Sequence, residues 1–530
     1  MAKFLAAVDV GTGSARAGIF DSSGRMLARA ERPITLRMAR ADHAEQDSAD
    51  IWRACGGATR AALEASGVAP GDVAGISFDA TCSIVVRDAS GAPVGVSLDG
   101  PERWDTIVWL DHRAQAEAAE CTASGHRVID YVGGVMSPEM AIPKLMWLKR
   151  RLPAAWSRAG MIFDLTDFLT WKATGSFERS QCTLTSKWTY LAHEPVGWRH
   201  DFLAAMGLDD LMARAALPEV ARPIGDDLGP LTVEAAAELG LTTATRVASG
   251  LIDAHAGALG VLGHLAGGGP EVERHMALIA GTSSCVMAFS HAPRMTSSTW
   301  GPYLGVALPD LWMNEGGQSV SGALLDHICK IWGGGADPTP ALHGRVCARI
   351  AELRESEGRD LAGRLHVVPD FHGNRSPLAD PSALGVISGL SMDASFDGLC
   401  RLYWRTSVAV ALGLRHILER MNESGYVIDT LNIAGGHTRN PVLMELYADV
   451  TGCRVMVPSA PDAVLLGTAM AAAVGAGVHP DLVAAGRAMH QGGALRSPNP
   501  DAAARFERDW RVFRAMHRHR AEIDAILAER

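Results

Sequence analysis

The 530-residue chain is short of several things, and each shortage removes a class of protein. There is no surplus of positive charge: 49 Lys and Arg stand against 59 Asp and Glu, for a formal net charge of −10. Nucleic acid and anionic membranes need clustered cations, so neither is an expected partner, whereas one nucleotide needs only a local site. There are no closely spaced cysteines. The nine present (Cys55, Cys82, Cys121, Cys182, Cys285, Cys329, Cys347, Cys400 and Cys453) lie too far apart for a zinc knuckle or a redox pair. They read as free thiols of a reducing cytoplasm. The opening residues meet Asp9 and Gly11 too soon for a secretory signal. The most apolar stretch, Ala463–Val478, is too short to cross a bilayer, and its Ala and Gly content reads as a buried helix. Two nucleotide signatures are missing as well. No GxxxxGK[ST] loop occurs, and the GxGxxG pattern begun by Gly11 and Gly13 fails at Arg16 and runs on into a strand rather than a helix.

What is present is average soluble-protein composition, 48% apolar and 20% charged, on a chain long enough for two large domains or three to four small ones. Phe4–Val10, Ala15–Phe20 and Met26–Ala30 are apolar runs separated by the turns Gly11–Ser14 and Asp21–Gly24, which predicts an antiparallel meander. Ser48–Ser66 has helical spacing, with Ile51, Trp52, Cys55 and Ala62 on one side. Val73–Phe78 reads as a strand, and Pro143–Leu152 and Asp164–Thr174 as helical. The character changes near Leu265–Pro270. Soon after, Gly281-Thr282-Ser283-Ser284 repeats the Gly-Thr-small-Ser pattern of Gly11–Ser14, again between two apolar runs, which suggests an internal duplication. A strand from Leu431 runs into Gly435-Gly436, with a helix from about Asn440, and Asp501–Glu529 reads as a charged terminal helix.

Glycine turns let backbone N–H groups approach phosphate oxygens, and the hydroxyls of Thr12, Ser14, Thr282 and Ser283 add donors. Each turn alone also reads as a plain hairpin turn. Three of them, each after a strand and two nearly alike, favour a nucleotide held between two related domains. A hairpin after the glycines is the mark of the actin-like ATPase fold. Asp9, at the end of a buried strand beside such a turn, suits Mg²⁺ held through water, or else caps the turn backbone. Asp253 stands where a strand passes into a helix within Val247–Ala256. It reads as an N-cap or, given its apolar and small neighbours, as a general base with a raised pKa. Polar groups near rings in Phe78–Ser83, Trp109–Arg113, Ser186–Trp188 and Asn314–Ser319 are candidates for a sugar site, and each has a structural alternative as an ion pair, loop lysine, helix-start carboxylate or core ring.

Taken in order, these segments resemble the FGGY carbohydrate kinases, and within them the ribulokinase-like branch, over nearly the whole chain. Asp9–Ser14 is similar to the first phosphate motif, Gly281–Ser283 to the second, and Gly435–Asn440 to the adenosine motif. Ser77–Ser83 and Trp109–Ala114 resemble the segments that reach the sugar, and Asp253–Ala256 the catalytic-base segment. The tetrapeptide of the family's name is absent as written, with Tyr426 its nearest echo.

The resemblance implies an α/β chain of two actin-like (ribonuclease H-like) ATPase domains, 1–264 for the sugar and 265–530 for ATP, with a nucleotide cleft between them. It implies ATP contacts from Gly11, Thr12, Gly13, Ser14, Gly281, Thr282, Ser283, Gly435, Gly436 and Asn440, and Mg²⁺ beside Asp9 and Asp253. Cys82, Ser83, Asp111, His112, Arg113, Lys187, Asp253 and Glu315 would meet the sugar, a ketopentose with D-ribulose first and L-ribulose, another pentulose or a pentitol next. Asp253 would take the proton. The sequence leaves open a homodimer. The rival of another class is a non-catalytic sugar or nucleotide sensor on the same scaffold.

Overall fold

The computed structural model describes residues 3–529 apart from 298, 336 and 359. The chain forms two compact units. The first takes Met1–Val272, Phe289–Asn314 and Ser459–Gly492, and the second Glu273–Ala288, Glu315–Pro458 and Gly493–Arg530.

In the first unit the predicted meander is present as strands Phe4–Val10, Ser14–Asp21 and Met26–Pro33, paired antiparallel in sequence order. The other side of Phe4–Val10 pairs in parallel with Val73–Ala80, and beyond it lie Arg246–Ala248 and Asp227–Pro230, while Leu251–Ile252 pairs further along the same strand. Register follows from burial. Val8 and Val10 turn into the core with Ala17, Ile76 and Phe78, and a slip of one residue would move that set to the opposite face of the sheet. The predicted helix Ser48–Ser66 covers this sheet. Asp47 caps it by accepting from the Ala49 and Asp50 N–H groups, and Gly67 ends it at φ 68°. Its residues Ile51, Trp52, Cys55 and Ala62 are buried together, as their spacing requires. A second sheet joins Arg37–Arg40, His43–Gln46, Thr106–Ile107, Ile84–Asp88 and Ala159–Asp164.

Two apolar helices back the first sheet. Asp253–Leu262 packs against Ala463–Gly475, the stretch read as a buried helix. Their approach is close enough that a Cβ on Gly260 would lie 1.9 Å from the Ala463 carbonyl oxygen, and one on Gly467 equally close to that of Ala256. Helices Ala141–Arg151 and Leu165–Thr174 begin within two residues of their expected starts.

The second unit repeats the arrangement. His275–Ala280 pairs antiparallel with Ser284–Ser290 after the turn Gly281–Ser283, and in parallel with Thr430–Ala434, which pairs in parallel with Arg454–Pro458. Gly493–Arg496 closes that edge. In both units, then, a strand enters a Gly-Thr turn, returns antiparallel and gains a parallel neighbour on its other side, the topology expected of a duplication. The long helix Phe396–Glu423, Pro441–Thr451 and the terminal helix Ala503–Ala528 supply much of this unit's core. No helix among the described residues is long and apolar enough to cross a membrane.

Candidate active site

The sheet register of the first unit gathers carboxylates. Asp9 lies opposite Arg16 across the hairpin and opposite Asp79 on the parallel side. Arg16 Nη2 is 2.7 Å from Asp9 Oδ2. Both aspartates are fully buried, and among the described residues no hydrogen-bond donor meets Asp9 Oδ1 or Asp79 Oδ1, while Thr468 donates to Asp79 Oδ2. The charges of Asp253 and Asp462 also act on Asp9. Burial pushes the Asp9 and Asp79 carboxyls up; Arg16 pulls Asp9 back, and Asp9 pushes Asp79 further. Four carboxylates thus face Arg16, with Arg29 beside Asp462 at 3.3 Å.

This donor set fits a hard divalent cation. It is all oxygen, carries surplus negative charge and keeps two buried oxygens without donors. Among the described residues no group of three or more His, Cys, Asp or Glu could hold a metal alone. Mg²⁺ takes one or two carboxylates and completes its shell with water and phosphate.

Asp253 is the first residue of its helix, not the N-cap. Ile252 holds the cap position, and Asp253 Oδ1 accepts from the Ala254 N–H at 2.7 Å. The preceding backbone is clamped at each step. Ser180 Oγ donates to the Gly250 carbonyl at 2.7 Å, Thr166 Oγ1 to that of Leu251 at 2.8 Å, and the Ile252 N–H donates to Cys182 Sγ at 3.3 Å.

Cys182 lies in the first turn of the helix Gln181–Lys187, whose last residue is the predicted sugar contact Lys187. Its ammonium is buried 4.1 Å over the Trp300 ring. Cys82 is near, because Lys187, Asp164, Lys144 and Glu139 all act on its thiol, which burial pushes up to about 12. Ser83 is turned inward, bonded to Thr81 Oγ1 and to the Trp109 N–H. Asp111 and Arg113 are satisfied by each other and by their surroundings. The carboxylate takes Arg113 Nε, Nη2 and N–H and the Ala44 N–H, and the guanidinium also meets Glu45 and the Val96 carbonyl. They act as a frame for their loop. His112 is half-buried, with Nε2 3.9 Å from Glu139.

The first glycine loop is tied at Gly11, whose N–H donates to the Ser14 carbonyl, and at Gly13, whose carbonyl accepts from the Ile34 N–H. In the second unit the Gly281 carbonyl accepts from His437 Nε2 at 2.9 Å and from the Gly322 N–H at 3.1 Å. A Cβ on Gly13 or Gly281 would meet nothing within 4 Å, so both loops present open backbone of the kind an anion can approach. Gly435 sits at φ 94° with a Cβ position 2.4 Å from the Ala280 carbonyl, and only glycine fits there. Asn440 caps helix Pro441–Thr451, accepting from Val442 and Leu443 and donating to Tyr403. Glu315 is buried in strand Trp312–Gln318.

Residues 4–260 match the N-terminal domain and 276–476 the C-terminal domain of the FGGY family of carbohydrate kinases. The chain belongs to this family. It is 41% identical to an FGGY carbohydrate kinase domain-containing protein of Danio rerio over 99% of each chain. It is 37% identical to a D-ribulokinase of Saccharomyces cerevisiae over 88% of this chain and 71% of that one. Its fold is that of the xylulose kinase from Rhodospirillum rubrum, at a TM-score of 0.80 and 24% identity over 98% of this chain and 99% of the other. The two actin-like domains expected from the hairpins are therefore present, and the chain is a sugar kinase.

Several residues of this carboxylate cluster escaped the sequence reading. Arg16, Asp462 and Thr468 lie outside every motif noted, and Asp79 stood inside a segment valued for its later residues. Alternation pointed to Asp79 and Arg16 as neighbours of Asp9 once register was known. Nothing local pointed to Asp462 or Thr468, which arrive from the other end of the chain.

Proposed function

We propose that the chain moves the γ-phosphate of ATP to the terminal hydroxyl of a ketopentose, D-ribulose first. The mutual influence of Asp9, Asp79, Asp253 and Asp462 around Arg16 supports this reading, together with the hydrogen bonds that hold the backbone before Asp253. The choice of ketopentose rests on relatives named ribulokinase and D-ribulokinase, the latter at 37% identity.

In this reading Asp253 accepts the hydroxyl proton as the sugar oxygen bonds to the γ-phosphorus and the bond to the bridging oxygen of ADP breaks. Lys187 and Glu315 orient the sugar, with Cys82 and His112 near it and Ser83, Asp111 and Arg113 holding the loops behind. Gly11–Ser14 and Gly281–Ser283 hold phosphates, and Gly435 and Gly436 border the adenosine, with Asn440 fixing the helix behind them. Asp9 and Asp253 would hold the Mg²⁺ that accompanies ATP, where it supplies neutralisation of phosphate charge. The halves 1–264 and 265–530 are the two copies of the duplication, the second lending helix Ala463–Gly475 to the first unit.

The test is ADP release with a panel of pentuloses and pentitols, wild type against Asp253→Asn. D-Ribulose should give the highest kcat/KM, and the variant should lose ~10²–10⁴-fold in turnover while still binding sugar by calorimetry. A variant with near-normal turnover would remove Asp253 from the chemistry, and a preferred substrate other than D-ribulose would reassign the sugar.

A further inference from the structure

Trp109 has two faces to its chemistry. Its ring stands in the segment assigned to the sugar, but its indole Nε1 donates to Thr12 Oγ1 at 2.9 Å, in the loop assigned to phosphate. Two side chains fix its backbone. The Trp109 N–H donates to Ser83 Oγ at 3.1 Å, and Lys144 Nζ donates to the Val108 and Trp109 carbonyls at 2.9 Å each. Lys144 is fully buried and so cannot trade these carbonyls for water. On the other side, Gln46 Nε2 holds the Thr12 carbonyl at 2.7 Å. The indole is the donor among the described residues that meets the Thr12 hydroxyl oxygen.

An indole nitrogen only donates. The Thr12 oxygen therefore accepts, and its own hydrogen is turned away from Trp109, free to donate to another acceptor. Beside the open backbone of Gly13, the acceptor of matching chemistry is a phosphate oxygen.

The geometry points to Trp109 as a positioning residue of the nucleotide site: its N–H aims the Thr12 hydroxyl at a phosphate oxygen and so couples the sugar segment to the phosphate loop. A sugar that restrains the ring also restrains Thr12. Because coupling between two ligands is reciprocal, sugar should tighten nucleotide binding by the factor that nucleotide tightens sugar. This rests on the phosphate-loop and sugar-segment assignments of the proposed function.

The experiment is a double-mutant cycle on Trp109→Phe and Thr12→Val. It is read as the Kd of a non-hydrolysable ATP analogue with Mg²⁺ by calorimetry, with and without D-ribulose, and as separate KM values for ATP and sugar. Trp109→Phe keeps an aromatic ring, though a smaller one, and loses the donor. It should weaken the nucleotide about three- to tenfold, the worth of one neutral hydrogen bond, and move the sugar KM less than about twofold. The effect should vanish in the Thr12→Val background and persist in Thr12→Ser, which keeps the hydroxyl. Additive effects, or a change confined to the sugar KM, would overturn the coupling and leave Trp109 as a wall of the sugar site. Nucleotide binding needs no turnover. If no pentulose is phosphorylated, the sugar assignment fails while the Trp109–Thr12 link is still tested.

Discussion

His437 shows how much a single side chain can hold. Its Nε2 lies 2.9 Å from the Gly281 carbonyl and its Nδ1 2.8 Å from the Tyr447 hydroxyl, so the neutral ring donates to the Gly281–Ser283 turn and accepts from tyrosine. Ser321 sits beside it and bonds Ser284 at 2.7 Å, closing a buried polar ring under the Gly281–Ser283 turn. Burial pushes the imidazole down to about 4, against a partial offset from the Gly281 hydrogen bond. In the unfolded chain it titrates near 6.5, so between these values the unfolded state binds the extra proton. The stability from this group is whole above pH 6.5 and is lost as pH falls towards 4. Relative to His437→Gln, which cannot titrate, the wild type should lose about 2 kcal/mol more between pH 7 and pH 5, measured by urea unfolding. Equal pH slopes would show that the ring is not held neutral. The loop was legible in the sequence as Gly-Thr-Ser; its anchor was not, because His437 and Gly281 are 156 residues apart and only the fold joins them.

At the scale of elements, local pattern served well where a hydrophobic face met a turn of fixed chemistry. The meander, the helix Ser48–Ser66 and the terminal helix all lie where periodicity put them. Short elements without a clear face were missed, and Gln181–Lys187 is the telling case. The sequence showed only a polar Ser-Lys-Trp, yet this one helix carries Lys187 at its end and clamps the Asp253 segment at its start. The Cys182 thiol accepts from the Ile252 N–H and lies 3.1 Å from His255 Nδ1, bracketing Asp253 from both sides. Burial holds the thiol pKa well up, so it stays protonated and able to donate to the imidazole. Cys182→Ala should therefore lower kcat about tenfold with little change in either KM, since small misplacement of a reacting group is costly. Cys182→Ser, which keeps a donor and an acceptor, should recover most of it. If serine and alanine behaved alike, the residue would be filling space and not holding the base in register.

Over the whole molecule the negative charge is not spread evenly. Asp9, Asp79, Asp253 and Asp462 act on one another in the first unit from positions separated by most of the chain, and the partly exposed Arg16 is a cation they share. Such an arrangement costs stability by itself, because desolvated like charges repel, and it persists when a ligand offsets the cost. In the proposed function a nucleotide arriving with Mg²⁺ would do so, and linkage makes the offset measurable: a ligand at about 100 times its Kd adds roughly 2.7 kcal/mol. For a unit of this size each kcal/mol is worth about 2–4 °C in Tm. With ADP saturating, Mg²⁺ should raise the Tm of the wild type by several degrees over the same ADP with a chelator. Asp9→Asn should keep the shift given by ADP alone and lose the increment from Mg²⁺, because the nucleotide's contacts with the glycine loops remain while the cation loses its carboxylate. An undiminished increment in Asp9→Asn would place the cation elsewhere and leave the carboxylate cluster to Arg16 alone.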